Sequence, residues 1–271
     1  MKKNNRKLHP KIVGMLGYGE IGKSIARICR EAGFTVLIRE LKYDQLKGKK
    51  LDYLYINIPE INNRDFIKVV VKNIQETSPV LTIINSSTTP GTTRKIFQVT
   101  SSPIVHSPVI GVHPKLYESI KIYFPKIIGP ADTLSLGLAK KHFKDLGLST
   151  RVYNNSETSE AAKLLDLVYY AWNIIFCKWV EQVCKHMNLN FNQVYTLHNK
   201  IYNKGYRKIL PNVVRPVLFP VKGSIGGHCT IEDTILFNKY YNNRFTKFIL
   251  RENKNYSKEK FKNMKPNEKS N

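Results

Sequence analysis

Ile12-Val13-Gly14-Met15-Leu16-Gly17-Tyr18-Gly19-Glu20-Ile21-Gly22 is the stretch that decides how the chain is read. An apolar run of strand length enters three glycines at Gly-x-Gly-x-x-Gly spacing, and Ile25, Ala26, Ile28 and Cys29 then fall on one helical face. Each glycine has its own task in such a turn. Gly17 permits the tight bend, Gly19 lets the backbone approach a pyrophosphate, and Gly22 allows close packing of the helix. The helix start turns unpaired amides and a positive dipole end toward the phosphates. Gly17, Gly19, Glu20, Ile21 and Gly22 are therefore expected to contact a dinucleotide.

Outward from this loop, Thr35 to Arg39 reads as a second strand, preceded by the helix stop Gly33 and ended by Glu40. Glu40 is placed to accept hydrogen bonds from adenosine ribose hydroxyls, which favours NAD; Arg39 and Lys42 could instead hold a 2′-phosphate, so NADP stays open. A third strand over Tyr53 to Ile58 stops at Pro59, a helix covers Asn63 to Glu76, and Val80 to Asn85 is a fourth strand. Shorter strands are expected near Ile104, Lys126 to Ile128 and Thr150 to Tyr153, with a helix from Asp132 to Leu146. This alternation predicts an α/β fold, a Rossmann-type doubly wound parallel sheet.

The pattern changes after Tyr153. Ser156-Glu157-Thr158-Ser159-Glu160 supplies capping hydroxyls and acids, and no Gly or Pro interrupts the chain as far as Met187. That predicts a helix about 45 Å long at 1.5 Å per residue. Its aromatic residues Tyr169, Tyr170, Trp172, Phe176 and Trp179 imply an all-α domain built on it that also packs against a second copy as a homodimer, with a monomer left open. The expected organisation is a basic tail over 1–10, a dinucleotide-binding domain over 11–154, a helical domain over 155–250, and a basic disordered tail over 251–271.

Composition narrows the classes. The 271 residues carry a formal charge of +24, partly in the two ends and otherwise dispersed. No basic helix face or nucleic-acid module stands out, so the charge is read as suited to a small anionic substrate rather than to nucleic acid. No apolar run reaches membrane-spanning length and no secretory leader follows Met1, which gives a cytoplasmic location as the expectation. Cys29, Cys177 and Cys184 lie in helical patterns as packing residues.

The remaining chemistry lies in three places. Asn85-Ser86-Ser87-Thr88-Thr89-Pro90-Gly91-Thr92-Thr93 follows the fourth strand, where hydroxyls can meet a nicotinamide or a substrate oxygen; one of them is also expected to cap the helix containing Lys95 to Val99. Lys163, in Glu160-Ala161-Ala162-Lys163-Leu164, is read either as a surface residue or as an amine that hydrogen-bonds a reacting oxygen. Gly226-Gly227-His228-Cys229 presents a thiol behind a tight turn, or else a buried structural cysteine. His106, His113, His228 and Cys229 lack metal-ligand spacing, so no metal is expected; His106 and His113 shape loops near the cleft.

Taken together and in order, these motifs resemble the UDP-glucose/GDP-mannose, or nucleotide-sugar 6-, dehydrogenases from about Lys11 to Leu236. The likeness rests on Gly-Tyr-Gly-Glu-Ile-Gly, the Ser-Ser-Thr-Thr-Pro-Gly-Thr-Thr segment, the Glu-x-x-Lys-Leu helix entry, and Gly-Gly-His-Cys with Asp233 four residues on. The resemblance implies NAD-dependent oxidation of a hydroxyl or aldehyde on a sugar-nucleotide substrate, with Cys229 as covalent nucleophile. It also implies Lys163 as oxyanion stabiliser, Asp233 in proton transfer and Thr88 or Thr89 in positioning water or substrate. Ser87 would serve the cofactor, and His106, His228, Gly226 and Gly227 the substrate. Three positions depart from the family: Val109 replaces a glutamate after Ser-Pro, Leu167 replaces an asparagine, and the nucleotide-gripping C-terminal domain is expected to be absent. The architecture more distantly resembles the 6-phosphogluconate and β-hydroxyacid dehydrogenases, which implies one hydride transfer served by Lys163. A dinucleotide-binding regulator without turnover is the third expectation.

Overall fold

The computed structural model describes residues 10–227 and 229–262. It divides into two compact units, with the boundary between Lys163 and Leu164.

The first unit alternates strands and helices: β1 (Ile12–Leu16), α1 (Glu20–Glu31), β2 (Thr35–Glu40), β3 (Tyr43–Asp44), β4 (Tyr53–Ile56), α2 (Asn63–Thr77), β5 (Leu81–Ile84), α3 (Thr92–Thr100) and β6 (Ile104–His106). A short α4 (Leu116–Glu118) runs into a π-helical turn, and β7 (Lys126–Pro130), α5 (Thr133–Asp145) and β8 (Thr150–Val152) follow. The eight strands form one sheet in the order β3-β2-β1-β4-β5-β6-β7-β8. Val13, Met15, Tyr55 and Ile83 pack on one face with Ile25, Ile28 and Phe143, whereas Leu54, Ile56 and Ile84 pack on the other with Phe66, Val70 and Ile96. Apolar residues on both faces are what a parallel sheet covered by helices on each side requires.

Three strands depart from the all-parallel expectation: β3, β7 and β8, the last of which pairs parallel to β7 and so shares its reversed direction. β3, absent from the sequence reading, folds back on β2 after the two-residue loop Leu41-Lys42 and pairs Glu40 with Tyr43 antiparallel. β7 also runs antiparallel to β6, with His106 opposite Gly129. β1 is flanked by β2 and β4, both parallel, so the strand order reverses at its C-terminal end, where open α/β sheets bind ligands.

Helix α6 (Ser156–His186) spans 31 residues, as its uninterrupted pattern predicts. The second unit contains most of it, with α7 (His198–Ile209), α8 (Cys229–Tyr240) and α9 (Arg244–Lys262). Val168, Ala171, Ile174 and Ile175 of α6 bury against Ile225, Ile249 and Tyr256. Residues 251–262 are thus no disordered tail: they continue α9, anchored by Ile249 and by Tyr256, whose hydroxyl donates to Gln182 at 3.2 Å. The tails expected at 1–9 and 263–271 lie outside the described residues. The compact boundary also falls later than residue 154, because the first turns of α6 are bonded into the sheet unit through Ser159 and Glu160.

Candidate functional site

The glycine loop divides its labour as the spacing requires. Gly17 has φ +91°, and a Cβ there would sit 2.9 Å from the Asn57 carbonyl. A Cβ on Gly22 would meet the Gly17 carbonyl oxygen at 2.3 Å, so this third glycine lets α1 close on its own loop. Nothing lies within 4 Å of a Cβ on Gly19. The space is open at the position expected to face a phosphate, and Gly19 caps α1 without any side chain bonding the helix amides. The Tyr18 N–H donates to the Glu40 carboxylate, and the Glu20 carboxylate meets His113. Arg39 is committed elsewhere: Nε and Nη2 donate to Asp44 at 2.9 and 3.0 Å, and Nη1 to Glu76 at 2.7 Å. These features fit a dinucleotide.

Behind the strand ends runs a chain of polar side chains. Asn57 Nδ2 donates to the Gly17 carbonyl at 3.2 Å, and Asn85 Nδ2 to Asn57 Oδ1 at 2.8 Å. Lys126 Nζ then donates to Asn85 Oδ1 at 3.0 Å and to the Ser107 carbonyl at 2.6 Å. Lys126 is buried, and loss of solvent together with the nearby Lys163 charge pushes its pKa down to about 7. Lys163 itself is half-buried.

The Ser-Thr-Pro-Gly segment is organised by two carboxylates from outside it. Glu160 accepts from the Gly91 and Thr93 amides at 2.7 and 2.8 Å, from the Thr93 hydroxyl at 2.6 Å and from Thr88 at 3.3 Å. Glu60 accepts from Thr89 and Thr92 at 2.8 and 3.1 Å. The expected hydroxyl cap of α3 is thereby corrected: its N-cap is Gly91, which has no side chain, and a carboxylate from α6 does the capping. Burial raises Glu160 to about 7. Thr88 is fully buried with its hydroxyl on Glu160, so it supports the loop rather than facing open space. Ser87 is half-buried.

His106 is also taken up by structure. Its ring nitrogens bond to Ser159 Oγ at 2.7 Å and to the Ser86 carbonyl at 3.1 Å, and burial lowers its pKa to about 3. It is a neutral core group, and the expected substrate contact is not what its geometry provides. Val109, at the family's glutamate position, is buried in the sheet core.

In the helical unit, Gly227 adopts φ +82°, a left-handed conformation that favours glycine, and a Cβ on Gly226 would meet nothing within 4 Å. Cys229 is the first residue of α8 and is exposed; Asp233, one turn on, is buried. A helix N-terminus favours thiolate. The approach to the turn is fixed by Lys178, which donates to the Val221 carbonyl at 2.6 Å and to that of Gly223, and by Asn253, which accepts from Ile225 N–H at 2.6 Å. His228 lies outside the described residues. Cys29, Cys177 and Cys184 are buried, and burial pushes the Cys29 thiol up to about 12. Among the described residues, no group of three or more His, Cys, Asp or Glu side chains could hold a metal ion.

Sequence reading missed Lys126, Asn57, Asn85, Glu60, Lys178 and Asn253. Two had a signal: Lys126 opens an otherwise apolar strand, and Lys178 continues the buried stripe Ala171, Ile174, Ile175 at helical spacing.

The loop, the strand order and the helix-borne thiol together set the comparison with known proteins. A UDP-N-acetyl-D-mannosamine dehydrogenase of Methanococcus vannielii is 25% identical over 201 residues, covering 73% of this chain and 42% of that protein. The solved UDP-N-acetylmannosamine dehydrogenase of Pyrococcus horikoshii superposes with a TM-score of 0.73 at 18% identity, over 90% of this chain and 68% of that one. The fold is that of these nucleotide-sugar dehydrogenases. The chain spans less than half the length of the curated relatives it matches. A more distant likeness is to 3-hydroxyisobutyrate dehydrogenase of Mycobacterium tuberculosis, with a TM-score of 0.67 at 12% identity over 92% of this chain and 94% of that one. No family model matches.

Proposed function

We propose that the chain is an NAD-dependent dehydrogenase that oxidises a CH–OH or aldehyde carbon of a small anionic substrate of the nucleotide-sugar class. The observation that carries this reading is an exposed thiol, Cys229, opening a helix behind a glycine turn, in a chain that also carries an open dinucleotide loop. Likeness to nucleotide-sugar dehydrogenases supports the substrate class.

Gly17, Gly19, Glu20, Ile21 and Gly22 hold the dinucleotide, with Glu40 on the ribose side and Ser87 toward the nicotinamide. Arg39, paired with Asp44 and Glu76, is not free for a 2′-phosphate, which supports NAD over NADP. NAD, when bound, would supply the hydride acceptor for both oxidations, one NAD for alcohol to aldehyde and a second for thiohemiacetal to thioester. Cys229 thiolate adds to the aldehyde carbon, forming a C–S bond, and Lys163 holds the oxyanion that develops on oxygen. After oxidation to the thioester, water cleaves the C–S bond to give carboxylate and thiol, with Asp233 handling the proton. Gly226, Gly227 and His228 shape the substrate side of the turn. Thr88 and Glu160 keep the first turn of α6, and hence Lys163, in register.

A homodimer belongs to the same proposal, supported by Tyr169, Tyr170, Phe176 and Trp179, which α6 leaves exposed. A cytoplasmic setting is its companion, supported by four cysteines present as thiols; no helix among the described residues is long and apolar enough to cross a membrane. The test is NADH formation across nucleotide sugars with a primary hydroxyl. A second reading, one hydride transfer served by Lys163, is supported by Val109 and by the likeness to 3-hydroxyisobutyrate dehydrogenase. It yields a carbonyl product and one NADH. NAD binding without NADH formation on any substrate would instead support a regulator.

A further inference from the structure

The sequence reading of dispersed charge with no basic helix face is corrected in the helical unit, where α7 carries one. From Gln182 to Ile231 the sequence carries seven Lys or Arg residues and no Asp or Glu. Four of the seven, Lys200, Lys204, Arg207 and Lys208, lie on α7 at i, i+4, i+7 and i+8, which places them on one helical face over about 12 Å. Together with Asn203 and Val217 they line an open groove of about 520 Å³. Its far wall is fixed. Buried Asn203 donates to the Arg215 carbonyl at 2.8 Å and accepts from the Arg215 N–H at 2.9 Å, which clamps the extended strand of chain before Val217 onto α7.

All four cationic side chains are exposed, and no ion pair or hydrogen bond engages their charged heads among the described residues. Like charges one turn apart destabilise a helix unless an anion sits between them. We infer that this groove binds a small molecule carrying a chain of two or more phosphates. A single phosphate reaches the heads of about one helical turn, 5.4 Å, whereas a phosphate chain can bridge the whole row. The volume is that of a small-molecule site. A polynucleotide is disfavoured by the opposite flank of α7, where the Arg215 guanidinium lies over the stacked rings of Tyr202 and Tyr206 at 4.5 and 5.3 Å and occupies the side on which a base would stack. Nothing in this site involves the dinucleotide loop, which belongs to the other unit.

The test is calorimetric titration of the full chain with orthophosphate, pyrophosphate, tripolyphosphate and UDP at moderate salt. Affinity is expected to rise from orthophosphate to tripolyphosphate, and Lys204→Glu with Arg207→Glu is expected to weaken tripolyphosphate by about tenfold or more, the worth of one charge-assisted hydrogen bond. Lys68→Glu with Lys72→Glu, two exposed charge reversals on α2, controls for net charge and should leave binding unchanged, and NAD affinity should not move in either variant. UDP binding like pyrophosphate assigns the source to a nucleotide; UDP binding more weakly, with tripolyphosphate retained, assigns it to inorganic phosphate chains. Equal affinity for orthophosphate and tripolyphosphate, an unaffected double variant, or tighter binding of a single-stranded oligonucleotide to the same residues would each overturn the inference.

Discussion

Glu160, on the first turns of the long helix, accepts from the backbone amide of Thr93 at 2.8 Å and from its hydroxyl at 2.6 Å, so the helix that carries Lys163 is tied to the start of α3, after β5. Lys163 follows three residues later, one turn along. Glu160→Ala strands the buried Thr93 amide and the half-buried Gly91 amide, and an unsatisfied buried donor costs about 1–3 kcal/mol. Denaturant titration should show that loss.

The same carboxylate makes stability depend on pH. Burial raises Glu160 to about 7, above its unfolded value of 4.5, so the folded state binds the extra proton between those limits. Its contribution is complete below about 4.5 and is lost as pH rises through about 7. Chemical denaturation across that window should therefore show a falling limb that Glu160→Gln removes.

Lys126 titrates in the opposite sense. Its folded pKa lies near 7, below the ordinary 10.5, so the unfolded state binds the extra proton between about 7 and 10.5 and stability rises with pH there. Below about 7 the full penalty of the buried charge is present. Lys126→Met is expected to flatten this limb in the same denaturation series, and retention of the slope would mean that another group causes it.

The loop glycines separate folding from binding. Gly22→Ala drives a methyl to 2.3 Å from the Gly17 carbonyl and should lower Tm and NAD affinity together. At Gly19, with φ −68° and open space, alanine should leave Tm unchanged yet weaken NAD about tenfold or more by obstructing phosphate approach. Thermal melts with and without NAD decide this. If Gly19→Ala binds NAD normally, no phosphate passes that position.

Much of this was legible in the sequence because local rules governed it. The glycine loop, the apolar strands buried on both faces, and the uninterrupted α6 each followed from spacing. The reversed directions of β3, β7 and β8 did not, since strand direction is set by pairing across the sheet. Nor did the fate of His106 and Thr88, whose residue types suit a substrate site but whose hydrogen bonds go to Ser86, Ser159 and Glu160. The Lys126–Asn85–Asn57 chain joins residues 28 and 41 apart in sequence, a distance that no local pattern spans. Asn253 was hidden for a similar reason: a basic, polar helix reads as a tail until its contact with Ile225 is seen.

The count of NADH released per substrate molecule, in the unaltered chain and in Cys229→Ser, tests the central claim most directly. With a nucleotide sugar that supports turnover, the account predicts two NADH per substrate and a carboxylate product, falling in Cys229→Ser to at most one with the product held at the aldehyde level. Two NADH per substrate at an undiminished rate from Cys229→Ser would contradict it.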